Sequence, residues 1–185
     1  MDSQFSYWKG LPARAGGSYL SVVEIPRGEK IKYEYSKKLD VLFLDRILYS
    51  SVHYPENYGF FPSTLADDGD PLDVLLLCQE PLDPLTVAEC KPIGGLEMID
   101  EKGLDHKIFA TASKDPRYNS YDQIKDLPEH KNDEIRQFFE DYKRLENKRV
   151  EVEEFYSREE AIQILEKSID TFQENYPEAL PVRID

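Results

Sequence analysis

The chain has 185 residues, with 37 Asp plus Glu against 23 Lys plus Arg and a net charge of −14. That length suits one domain with a sizeable core, and the acid excess argues against a nucleic-acid binder, which carries a basic face. It leaves room for a small anionic substrate, because a bound cation inverts the local sign.

Two cysteines, Cys78 and Cys90, give no disulfide framework and read as reduced core residues of a cytoplasmic protein. The N-terminal MDSQFSYWKG lacks the apolar stretch of a signal peptide, and no run approaches the length of a membrane span.

Residues 1–18 are rich in Gly, Pro and Ala without a clear period and read as an arm on a single domain spanning 1–185. Strands are expected at 19–25, 30–35, 41–44, 73–77, 86–90, 94–99 and 107–112, from β-branched runs and alternation bounded by Gly and Pro. Gly94 and Gly95 suggest a bulge or bend. Many short strands with such turns suggest a closed barrel.

The character then changes. Ile135, Phe138, Phe139, Tyr142 and Leu145 recur at helical spacing. A strand is expected at 149–153. Ser157 and Glu160 form a capping box, and Ala161, Ile162, Leu165, Ile169 and Phe172 make the stripe of a second helix. The fold class is therefore mainly β with α, a closed barrel with two flanking helices near the C-terminus.

The segment LADDGDPLDVLLL (65–77) gathers carboxylates before an apolar run. On extended chain Asp68 and Asp70 face one way, and Gly69 and Pro71 let the chain turn to redirect Asp73. Oxygen donors at this spacing suit a hard divalent cation such as magnesium. An EF-hand fails, because Asp73 and Gln79 stand where that loop needs Gly and Glu. The bland alternative is a solvated acidic turn. A second acidic turn, 98–107, carries Asp100 and Asp105, which reach the same site if the strands are neighbours.

Cations and phenols occupy comparable positions. Lys32 and Glu34 share a strand face, Arg46 follows the 41–44 strand, and Lys107 shares the face of Asp105. Tyr54 and Tyr58 lie in HYPENYGF (53–60). Lys and Arg donate to phosphate oxygens, and metal, cation and phenol together are the kit of phosphoryl transfer. Each residue also has a plain structural alternative. Lys32, Arg46 and Lys143 also read as solvated charges, and Tyr142 as core. His53, His106 and His130 show no metal-ligand spacing.

The heptad DGDPLDV (68–74) resembles the signature of the soluble family I inorganic pyrophosphatases. VEIP (23–26), IKYE (31–34), DR (45–46), YPxNYG (54–59), DExGxDxK (100–107) and FFExYK (138–143) follow in that family's order. The resemblance covers the chain from about Ser18 to the second helix.

It implies a five-stranded OB-like barrel and hydrolysis of diphosphate to two orthophosphates by Mg2+-assisted attack of a metal-bridged hydroxide. Mn2+ or Zn2+ are possible substitutes. By this resemblance Asp68, Asp70, Asp73, Asp100 and Asp105 hold several metals. Glu24, Glu34 and Glu101 act in a further layer or through water. Lys32, Arg46, Tyr54, Tyr58, Lys107, Tyr142 and Lys143 bind substrate, and Asp70 is the catalytic candidate to accept the attacking water's proton or orient that water. A compact homo-oligomer is implied, a hexamer favoured over dimer or trimer, although Gln137 and Asp141 replace histidines of many hexameric members.

Two rivals use the same acidic turns. A non-catalytic cation-binding module gives Lys32, Arg46 and Lys107 no role. A metal-dependent nuclease or nucleotide hydrolase on such a barrel wants a basic groove with exposed stacking aromatics, which a net charge of −14 argues against.

Overall fold

A computed structural model describes residues 5–101, 103–179 and 181, without the side chain of Asp100. The strands are β1 (Arg14–Ala15), β2 (Ser18–Ile25), β3 (Ile31–Ser36), β4 (Val41–Ile47), β5 (Asn57–Phe60), β6 (Asp73–Leu77), β7 (Val87–Asp100), β8 (Gly103–Ala112) and β9 (Glu151–Tyr156). The helices are α1 (Glu129–Asp141) and α2 (Arg158–Asn175). Among the described residues no helix is long and apolar enough to cross a membrane.

The ladder runs β2–β5–β6–β8–β7, and β7 pairs back onto β2, so five strands close a ring. This is the OB-like barrel expected. All neighbours in the ring are antiparallel except β6 and β8, which run parallel. β6 explains why its sequence shows no polar alternation. Leu75 and Leu77 pack with α1 residues Ile135, Phe138 and Phe139, whereas Val74 and Leu76 pack with α2 residues Ala161, Leu165 and Ile169. A strand covered on both faces reads as a continuous apolar run.

Several expected boundaries move. The segments 86–90 and 94–99 are one long strand, β7, whose register shifts between Pro92 and Gly94. Gly94 has φ +155°, and a Cβ on Gly95 would lie 2.3 Å from the Tyr156 ring, so the glycines mark the bulge and a close approach. β4 runs past Leu44 to Ile47, so Arg46 lies inside a strand rather than after one.

β5, absent from the sequence reading, is completely buried. Leu145 leaves the α1 stripe for a 3-10 turn and is exposed. The Ser157 side chain caps α2 by accepting from the Glu160 N–H at 3.2 Å. Cys78 and Cys90 are buried and free.

The arm has a packed face despite its lack of period. Trp8 and Leu11 are buried with Val22, Tyr35, Phe60 and Phe172, and the Trp8 indole donates to the Thr64 carbonyl at 2.8 Å. β1 then pairs with β2.

Gly59 sits opposite Val23, and an added Cβ would lie 1.9 Å from the Val22 carbonyl oxygen. Since that contact is with backbone of the barrel wall, Gly59→Ala should destabilise by about 3 kcal/mol. Urea unfolding checks this; a loss below about 0.5 kcal/mol contradicts the packing described.

Candidate active site

The parallel pairing of β6 with β8 sets Asp73 opposite Lys107. Asp105, two residues before Lys107, lies on the same face of β8. The Lys107 ammonium consequently bonds both carboxylates, Asp73 closely and Asp105 at 2.6 and 2.7 Å. Lys107 is 3 % exposed. Burial works against its charge, but Asp73 and Asp105 outweigh burial and hold it well above its ordinary range. Asp105 is pushed up, chiefly by burial and then by Asp73, although Lys107 opposes the shift.

These groups open into a cavity of about 310 Å³ that also receives Glu24, Lys32, Glu34, Asp45, Arg46, Tyr58, Asp68, Asp70, Glu101, Tyr142, Lys143 and Lys148. The turns at 68–73 and 101–105 therefore meet in one place. The 66–70 segment is a tight turn rather than extended chain. Ala66 N–H donates to the Asp70 carbonyl at 2.8 Å and Asp68 accepts from Asp70 N–H at 3.0 Å. Gly69, at φ +82°, supplies the left-handed position this turn requires.

Two bulges aim further carboxylates. Between the pairs Val23–Gly59 and Ile25–Tyr58, Glu24 is the extra residue. Between Lys32–Arg46 and Tyr33–Leu44, Asp45 is extra. A bulge re-aims a side chain that strict alternation would turn away.

Glu24 is buried and accepts from Tyr35 N–H at 2.7 Å. Burial first, and then the Asp73 charge, push its carboxyl up to about 8. Lys32 reaches Asp45 at 2.9 Å and Glu34 at 3.6 Å. Arg46 bonds Asp45 at 2.5 Å and Glu146 at 2.8 Å, and its Nη2 is buried with no hydrogen-bond partner among the described residues.

Most of the expected residues thus line the cavity. Tyr142 belongs to both readings: it is buried, its ring stacks on Phe138 at 5.3 Å, and it faces the cavity from the end of α1. Tyr54 does not line it. Its ring stands behind, 5.4 Å from Tyr58 and 4.7 Å from Phe138, although burial and Tyr142 both push its hydroxyl up. Asp100 closes β7, but its side chain lies outside the described residues.

Sequence reading missed Asp45, Lys148 and Lys37. Lys37 bonds Asp70 and the Gly69 carbonyl, each at 2.6 Å. The Asp45–Arg46 pair was a visible signal for Asp45; Lys37 sits in a turn and Lys148 in the irregular link before β9, with no local one.

The donor set is hard oxygen, which fits a divalent cation of the magnesium type. Among the described residues no trio of His, Cys, Asp or Glu is gathered closely enough to hold an ion as it stands. Lysine ammoniums instead stand against the carboxylates. The charge pattern gives the fit: carboxylates outnumber cations around the cavity, and burial and mutual repulsion raise Glu24 and Asp105.

An OB-like barrel carries an acid-rich, lysine-studded cavity, a donor set suited to a dication and to an anion with phosphate oxygens. A sequence profile of the inorganic pyrophosphatase family matches residues 21–173, and the chain belongs to that family. It is 48% identical over 171 residues to soluble inorganic pyrophosphatase 2 of Chlamydomonas reinhardtii, covering 91% of this chain and 89% of that protein. It is 50% identical to soluble inorganic pyrophosphatase 1 of Arabidopsis thaliana, covering 90% and 80%. The solved inorganic pyrophosphatase from Thermus thermophilus superposes with a TM-score of 0.87 at 40% identity, covering 91% of this chain and 99% of that one.

The raised Glu24 carboxyl has a definite sign. Its proton is held more tightly folded than unfolded, so its contribution is complete below pH 4.5 and is lost as pH rises through about 8. In EDTA, the unfolding free energy should decline across that window, and Glu24→Gln should flatten the decline. A Gln variant with the wild-type slope contradicts the assignment.

Proposed function

We infer that the chain's reaction, hydrolysis of inorganic diphosphate to two orthophosphates, runs in this cavity with Mg2+ as the physiological cation, Mn2+ or Zn2+ replacing it in part. The observation that carries this reading is the convergence of Asp68, Asp70, Asp73 and Asp105 with Lys32, Arg46, Lys107 and Lys143 in one cavity.

Asp68, Asp70, Asp73 and Asp105 would hold the cations, with Asp100 beside them and Glu24, Glu34 and Glu101 acting at longer range. When bound, the cations neutralise the diphosphate and polarise its phosphoryl oxygens.

The chain's own groups do the rest. Arg46 has an unused buried donor for a phosphate oxygen, and guanidinium geometry suits that contact. Lys32, Lys143, Tyr142 and Tyr58 line the same space. Tyr54 supports Tyr58 and Tyr142 rather than touching substrate. Asp70 accepts the proton as the water oxygen forms its bond to one phosphorus. The bridging P–O bond breaks, and the departing phosphate's charge is taken up by Arg46 and Lys143.

Lys107 fixes Asp73 and Asp105 and supplies positive charge beneath the substrate. The whole chain acts as a single domain in the cytoplasm as a homo-oligomer, a hexamer by preference. The apolar side chains Val41, Phe43, Leu44 and Ile47, exposed along β4, support such association.

Phosphate release from diphosphate, ATP and single-stranded DNA, each with Mg2+, tests the reading. Turnover of diphosphate alone is expected; cleavage of DNA, or metal binding without any turnover, contradicts it. Asp70→Asn should fold and lose about 10²–10⁴-fold in kcat, the usual contribution of a positioned proton acceptor. Near-normal kcat in that variant removes Asp70 from proton transfer.

A further inference from the structure

The turn between β3 and β4 carries a cation that the reaction outlined above leaves without a part. Lys37 donates to the Asp70 carboxylate and to the Gly69 carbonyl, both at 2.6 Å. Its ammonium also lies 5.2 Å from the centre of the Trp8 ring. Trp8 is the chain's only tryptophan.

The indole is held firmly. It is 3 % exposed, bonded to the Thr64 carbonyl, and packed edge-on against Phe172 and Tyr176 at 5.6 and 5.2 Å. The same arm meets the β3 wall again, where Tyr7 N–H donates to the Tyr35 hydroxyl at 3.1 Å. Tyr35 N–H in turn bonds Glu24. The arm thus touches the cavity through two routes, and one of them is an ammonium shared between an aromatic face and a carboxylate.

We propose that Lys37 is a positioning residue that neutralises Asp70 in the cation-free chain and is displaced from it by the divalent cation, with Trp8 registering the exchange. The proposal rests on Asp70 being a cation ligand. A dication and an ammonium compete for one carboxylate. The Gly69 carbonyl and the electron-rich indole face give the released ammonium a place to stay. Lys37 is partly exposed, so its loss should not endanger folding, and the competition it exerts is modest.

The test titrates MgCl2 into the EDTA-stripped full chain, followed by calorimetry and by Trp8 emission. In the wild type the emission changes along the calorimetric binding curve. Lys37→Gln should bind Mg2+ more tightly, by up to about fivefold, and lose the emission change. Lys37→Arg should restore both. Lys9→Gln, which removes the other ammonium near the indole, 5.3 Å from its ring, should keep the response.

Wild-type affinity in Lys37→Gln, or wild-type emission that stays flat while calorimetry reports binding, overturns the proposal and leaves the site assignment standing. Absence of any Mg2+ binding to the wild type overturns both.

Discussion

The parallel register of β6 on β8 sets Asp73 against Lys107, and the remainder of the site is arranged around that contact. A lysine this deeply buried is tolerable only when paired, because desolvating an isolated ammonium is far more unfavourable than any single contact can offset. Asp73 and Asp105 supply the pairing. The reverse also holds: two carboxylates on adjacent strands repel unless a cation lies between them. The buried pair is therefore weak as a source of stability and strong as a constraint on geometry. Slipping either strand by one residue would turn Asp73 or Lys107 to the other face and leave the charges unmatched.

Around this fixed point the barrel uses irregularities to add donors. Glu24 and Asp45 enter as extra residues in bulges, and Asp68 and Asp70 enter through a turn that needs glycine at position 69. Regular strands supply Lys32, Arg46, Tyr58, Asp105 and Lys107, and the end of α1 supplies Tyr142 and Lys143. Side chains on a rigid scaffold hold their geometry better than side chains on loops. The apolar clusters on either side of β6 provide that rigidity.

The parts legible in sequence are those governed by periodicity and local chemistry. Alternation placed Lys32 with Glu34 and Asp105 with Lys107, the DDGDPLD turn announced itself through its glycine and proline, and helical spacing found Phe138 and Phe139. What escaped notice depended on distant chain. β5 is short, buried on both faces and contains Gly59, so it shows no alternation; only its neighbours β2 and β6 make it a strand. Asp45 stood beside Arg46 in a recognisable pair, but alternation gave it no role because a bulge breaks the period there. Lys37 became visible only when the β3–β4 turn came to lie beside the 66–70 turn. The arm carried its information in isolated residues, Trp8 and Leu11, whose partners on α2 and β5 lie far away in sequence.

In the proposed reaction a metal-bound diphosphate occupies the cavity that the carboxylates and cations line together. A crystal structure with Mg2+ and the non-hydrolysable analogue imidodiphosphate measures this directly. The account predicts cation density among Asp68, Asp70, Asp73 and Asp105, with the analogue's oxygens on Arg46, Lys32 and Lys143. Analogue density elsewhere on the chain, or cations bound outside these carboxylates, would contradict it.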